Sequence, residues 1–146
     1  MKKRIITICS SSSFYEHVVD LQEQLESMGY QVLVPETATN MKKAGTFQLE
    51  GFKPSLGDTE WKARLMHGHF DKVEQGDICL VVNDDKHGIK NYIGGNVLME
   101  MALAFHRRKP IVILNDLPEE STFLEEIAGM DPVILHGDIK NITKVS

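Results

Sequence analysis

Five short apolar runs, rich in β-branched residues and separated by polar or helical-period segments, constrain this chain more than any other feature. They are Arg4 to Cys9, Gln31 to Val34, Ile78 to Val82, Pro110 to Leu114 and Val133 to His136. Their core residues are apolar without alternation, as in strands covered on both faces. After the first run, Phe14, Val18, Leu21, Leu25 and Met28 recur at helical spacing, and Gly29 follows where a helix end favours glycine. A second helix is expected from a cap at Thr59, with Trp61, Leu65, Met66, Phe70 and Val73 as its apolar face and Gly76 as its stop. Gly94-Gly95-Asn96 opens a strongly apolar helix over Val97 to Arg108, and Phe123 to Ala128 reads as a short one.

Strands that alternate with helices imply a parallel sheet with helices on both faces. The expected fold is therefore α/β: a three-layer sandwich of flavodoxin-like or Rossmann-like type, with five parallel strands in the order 2-1-3-4-5. With 146 residues and 42% hydrophobic content, the chain can build one real core, and residues 1–146 are read as one domain. Residues 36–60 are polar, contain Gly45, Gly51, Pro54 and Gly57, and show no sustained period. They are expected to form a mobile loop with one short helical turn around Asn40 to Ala44. No element is assigned after Asp138.

The formal net charge of -5 argues against binding to duplex nucleic acid, which calls for a basic surface. It leaves room for a single nucleotide, whose phosphate needs only a local cluster of donors. The basic start, Met1 to Arg4, precedes an apolar run too short for a secretion signal, and no stretch approaches the ~18 apolar residues of a membrane span. A cytoplasmic protein without membrane partners is expected. Cys9 and Cys79 both lie in apolar strands and read as small buried hydrophobes in a reducing compartment. No metal or cofactor is expected: no ligand-type residues flank the cysteines at tight spacing, and His67, His69, His87 and His106 form no metal-ligand pattern.

In sheets of this kind ligands bind beyond the carboxyl ends of the strands, where the strand order reverses. Here that point lies between the first and third strands. Three polar segments converge on it: Ser10 to Ser13, Asn83 to Asp85, and Gly94-Gly95-Asn96. Ser10, Ser11, Ser12, Asn83, Asp85, Gly94, Gly95 and Asn96 are thus the candidate substrate-binding residues. The serines suit an anion, although Ser12 or Ser13 could equally serve as a helix cap. The double glycine permits close approach by a ligand or a tight helix start. Glu100 is the only charged residue between Val97 and Phe105. A carboxylate in such a setting is costly unless it is paired or serves chemistry. The alternatives to a reactive group are stabilisation by the helix dipole, or an ion pair with Arg64 or Lys90.

Ile8-Cys9-Ser10-Ser11, the stretch Phe70-Asp71-Lys72-Val73 leading to Asp77, and Glu100-Met101-Ala102-Leu103-Ala104 followed by Lys109-Pro110-Ile111 together resemble the nucleoside 2-deoxyribosyltransferase superfamily, which includes 2'-deoxynucleoside 5'-phosphate N-hydrolases. The resemblance implies cleavage of an N-glycosidic bond, with Glu100 at the position of the glutamate that attacks the anomeric carbon. It also implies a nucleoside or nucleotide as the small-molecule partner, and a homo-oligomer. Two positions depart from the pattern. His69 stands where members carry an aspartate, which would give the proton-donating role to an imidazole. Gly94 stands where the transferases have aspartate and the nucleotide hydrolases serine, which would move the 5'-contact to the Gly95 backbone or the Asn96 side chain. Two other readings stay open: a non-catalytic nucleotide-binding or sensing module, and a phosphoribohydrolase, whose glycine-to-glutamate motif is one residue longer than the one here.

Overall fold

The computed structural model describes residues 2–146 and gathers the five strands into one parallel sheet. The strands β1 (Ile5–Ser10), β2 (Gln31–Leu33), β3 (Ile78–Val82), β4 (Ile111–Ile113) and β5 (Val133–Ile134) stand in the order β2-β1-β3-β4-β5, as the sequence predicts. They are joined through α1 (Tyr15–Ser27), α2 (Glu36–Ala44), α3 (Thr59–Gln75), α4 (Gly95–His106) and α5 (Leu124–Gly129). β5 is shorter than expected because the chain turns away at His136 and Gly137, both at positive φ. Among the described residues no helix is long and apolar enough to cross a membrane.

Side chains on a strand alternate between its two faces, and this splits the core in two. Ile6 and Ile8 of β1, Leu80 and Val82 of β3 and Val112 of β4 pack with Val18, Leu21 and Leu25 of α1. Cys9, Cys79, Val81, Ile111 and Ile113 point the other way, onto Val73 of α3 and Val97, Met101 and Ala104 of α4. Both cysteines therefore share the face that carries α3 and α4.

The structure corrects the sequence reading in three places. The segment from residue 36, expected as a loop, begins with α2, which buries Thr37, Ala38 and Met41 and packs on α1. Two threonines and an asparagine, weak helix formers, masked its short apolar face. The cap of α3 is Asp58 rather than Thr59: its carboxylate accepts a hydrogen bond from the Trp61 amide at 3.1 Å. The tail forms a 3₁₀ helix, Ile139–Lys144, which buries Ile139 and Ile142 against the α1 side of the core.

The end of α3 meets β1 at one close contact. The Thr7 hydroxyl, fully buried, donates to the Lys72 carbonyl at 2.7 Å, and Gly76 ends the helix beside it. A Cβ on Gly76 would lie 2.3 Å from Thr7 Oγ1. Glycine is needed here for proximity, since its φ of -71° is open to any residue. Gly76→Ala is expected to push α3 off β1 and cost about 1–3 kcal/mol, as overpacked sites do. Urea denaturation reads the loss as a lower midpoint at unchanged slope. An unchanged midpoint would show that α3 can withdraw from β1 without cost.

Candidate active site

A cleft of about 670 Å³ opens beyond the carboxyl ends of β1 and β3, a size suited to a small-molecule ligand. Its walls are the serine turn after β1, one face of α3, the first turns of α4 and the segment around Lys53 to Leu56. Ser10, Ser11, Ser12, Gly94, Gly95, Asn96, His69 and Glu100 all line it, so most of the residues singled out in the sequence come together.

Asn83 and Asp85 are not among the lining residues. Asn83 is fully buried and its amide is occupied: Nδ2 donates to the carbonyls of Asp116 at 3.0 Å and Asn91 at 3.3 Å, and Oδ1 accepts from the Asn115 amide at 3.0 Å. It ties the loop after β3 to the loop after β4. The Asp85 carboxylate accepts from the Asn91 amide at 3.0 Å and closes a turn within the first of these loops. Both residues shape the segment that delivers Lys86 and Tyr92 to the cleft.

Glu100 projects from the second turn of α4 to the floor of the cleft and is buried. Neither expected ion-pair partner holds it. Arg64 donates instead to Glu36 at 2.9 Å, and among the described residues no ion pair joins Glu100 to Lys90. Its neighbours are His69, with Nε2 4.0 Å from Oε2, and the Cys9 thiol, within 4.8 Å of the carboxylate. Cys9 Sγ also lies 3.5 Å from His69 Nε2 and 3.9 Å from Cys79 Sγ. Cys9 thus has the ligand-type company that the sequence spacing did not reveal.

Burial acts on these groups in opposite directions, because it disfavours the charged form of each. It pushes the Glu100 carboxyl up to about 7, with the Cys9 thiol and the Lys62 ammonium pulling it back. It pushes His69 down to about 4, assisted by the Lys72 charge and opposed by the Ile8 backbone. The 4.0 Å contact is therefore no ion pair at neutral pH, since the imidazole is uncharged. His69 Nδ1 is buried and has no hydrogen-bond partner among the described residues. The Cys9 thiol is raised, first by its contact with Cys79 and then by burial, so it stays protonated and is no nucleophile. Tyr15, also in the wall, is raised mainly by burial and remains a phenol.

The mouth of the cleft is cationic. Lys53, Lys62 and Lys86 line it, and among the described residues none of them forms an ion pair. The Lys86 ammonium donates to Ser11 Oγ at 2.8 Å and sits 5.1 Å from the centre of the Tyr92 ring. Burial, and then repulsion from Lys53, lower its pKa. Tyr92 fills the space beside Gly94, where a Cβ would stand 2.8 Å from its hydroxyl. The sequence reading missed these lysines and both tyrosines. One signal was present: Lys62, Leu65, Met66 and His69 follow i, i+3, i+4, i+7 spacing and form the face that α3 gives to the cleft.

No protein-family model and no curated protein sequence matches the chain. Solved structures similar to it include a 2-deoxyribosyltransferase from the psychrotolerant bacterium Bacillus psychrosaccharolyticus, at 18% identity over 75% of this chain and 70% of that one, with a TM-score of 0.50. They also include a molybdenum cofactor binding protein from the phototrophic bacterium Rippkaea orientalis, at 18% identity over 99% of this chain and 98% of that one, with a TM-score of 0.56. At such identities the likeness is one of fold, and the chain shares that fold with both a nucleoside-processing enzyme and a cofactor-binding protein.

Proposed function

We propose that the cleft binds a nucleoside or nucleoside 5'-monophosphate and that Glu100 cleaves its N-glycosidic bond. The observation that carries this reading is a buried carboxylate on the floor of a cleft whose mouth holds three lysines that form no ion pair among the described residues. A sugar lying between the two would present its anomeric carbon to Glu100 and a 5'-phosphate to Lys86 and Ser11. The ionised carboxylate attacks the anomeric carbon while the C–N bond breaks, and the base leaves with the bonding pair and takes a proton from water. The ester formed on Glu100 then passes the sugar to water or to a second base. Neutral His69 has no imidazolium proton to give at neutral pH, and in this scheme it borders the floor beside Glu100, with Nε2 4.0 Å from the carboxylate. The Asn96 side chain and the Gly95 backbone border the same space and serve as contacts to the sugar. The fold shared with a 2-deoxyribosyltransferase supports the reading.

A second reading is a binding module without turnover. It is favoured by the Glu100 carboxyl near 7, which leaves much of it protonated at neutral pH, and by the fold shared with a protein that binds the molybdenum cofactor. The two readings part on base release. Incubation with each nucleoside and nucleoside monophosphate, followed by chromatography of the free base, shows release under the first reading. Thermal stabilisation by ligand without release supports the second.

Glu100→Gln is expected to lower base release by roughly 10³-fold or more, as loss of a nucleophile does. The same variant is expected to fold more stably at high pH. The folded protein holds the Glu100 proton more tightly than the unfolded chain, so a penalty grows as pH rises from 4.5, the ordinary carboxyl value, and is complete above about 7. Removing the carboxylate relieves about 3 kcal/mol above pH 7 and nothing below pH 4.5. Urea denaturation across this range separates loss of chemistry from loss of fold. Release that persists in the Gln variant assigns the nucleophile elsewhere.

Because attack needs the ionised form, kcat/KM should rise with pH through about 7 and then level. A flat profile between pH 5 and 8 contradicts a nucleophilic Glu100.

Lys86→Ala is expected to weaken nucleoside monophosphates about 10- to 100-fold, the worth of one charge-assisted hydrogen bond, and to leave unphosphorylated nucleosides nearly unchanged. Ligand titration by calorimetry reads both. Equal weakening of the two classes would remove phosphate from the Lys86 site.

A further inference from the structure

We propose that Cys9, His69 and Glu100 form a site for a thiophilic divalent cation, Zn²⁺ or its stand-in Co²⁺, with the fourth coordination position open to the cleft. The sulfur of Cys9, a nitrogen of His69 and an oxygen of Glu100 all lie within 4.8 Å of one another, and all three residues are buried. Zinc bonds to sulfur, imidazole and carboxylate run about 2.0–2.3 Å, so tetrahedral geometry places the ligand atoms about 3.3–3.8 Å apart. The cluster stands close to those edges: 3.5 Å from Cys9 Sγ to His69 Nε2 and 4.0 Å from Nε2 to Glu100 Oε2. The third edge, from Cys9 Sγ to the Glu100 carboxylate, lies within 4.8 Å, and a side-chain movement of up to about 1 Å closes it.

The chemistry of the donors selects the ion. A thiolate and an imidazole favour zinc or cobalt over magnesium or calcium, which prefer oxygen. Binding releases the Cys9 thiol proton, and any proton held by Glu100, to solvent. The two anions then neutralise the dication, so no net charge is buried. The imidazole is set for this role. Nε2 faces both Cys9 and Glu100, and in the tautomer protonated on Nδ1 it offers its lone pair to the cation. Cys79 touches Cys9 at 3.9 Å and is not one of the three clustered groups, so the protein supplies three ligands and the cleft supplies access to the fourth position.

The cation and the glycosidic chemistry use the same carboxylate and exclude each other. A cleft holding Zn²⁺ has no free Glu100, so the metal acts on this protein as an inhibitor that sits beneath the substrate. The site itself follows from the ligand geometry alone and does not depend on the activity proposed above.

The test is titration of the metal-free, reduced full chain with Co²⁺, followed by near-ultraviolet and visible absorption. One equivalent is expected to bring up a thiolate-to-cobalt charge-transfer band together with the visible bands of tetrahedral cobalt, and Zn²⁺ should abolish both. Cys9→Ser should lose the charge-transfer band, His69→Gln should weaken binding at least tenfold, and Cys79→Ser should keep the band. Circular dichroism checks that each variant is folded. If Cys9→Ser fails to fold, His69→Gln decides the outcome. No band in the parent protein overturns the proposal, as does a band of unchanged strength in Cys9→Ser or His69→Gln. Base release plays no part in this readout, so a failure here and a failure of the Glu100 chemistry can be told apart.

Discussion

A parallel sheet of uniformly apolar strands must be covered on both faces, and everything distinctive in this molecule follows from how the second face is covered. Odd positions of β1 and β3 point toward α3 and α4. Thr7 receives the end of α3, and Cys9 stands under the site. Because Thr7 and Gly76 fit so closely, α3 is held at a fixed distance from β1, and its earlier turns bring His69 down to the sulfur of Cys9. The apolar face of α4 then has one place for a polar side chain to emerge, at Glu100. The cleft floor is thus a consequence of core packing rather than of loop structure.

Placing these groups in a low-dielectric floor fixes their charge states together. Burial favours the neutral form of each, so the carboxyl holds its proton into the neutral range while the imidazole loses its own early. Near neutral pH the floor therefore carries at most one negative charge, on Glu100. The lysines of the mouth carry the opposite sign, in a chain whose formal net charge is -5. A positive mouth inside a negative molecule focuses anions on the cleft and not on the surface at large.

How much of this could be read from the sequence depends on how local the determinant is. Strand order and helix positions were legible because apolar period and turn residues are local signals, and parallel connections leave few topologies. Glu100 was legible because it is the single charge in an apolar helix. Its neighbours were not. Cys9 and His69 are 60 residues apart, and their meeting depends on how α3 crosses β1, which no local pattern records. Asn83 misled for the reverse reason: polar residues after a strand suggest ligand contacts, yet this one spends its amide on Asn91, Asn115 and Asp116. α2 was hidden because its helix depends on packing Ala38 and Met41 against α1 rather than on propensity.

Gly94 and His69 each have a physical sense in the structure. Gly94 leaves room that Tyr92 occupies, and Tyr92 in turn lies beside the Lys86 ammonium, which bonds Ser11. An acidic side chain at position 94 would place a carboxylate within this positive rim and against the tyrosine hydroxyl. Glycine keeps the rim positive and the ring in place. At position 69, an aspartate would add a second carboxylate to a floor where burial already disfavours the charge on Glu100. Histidine, neutral there, leaves Glu100 free to take the single negative charge the site allows. Neither Gly94 nor His69 adds a carboxylate to the cleft, and the acid on its floor is Glu100.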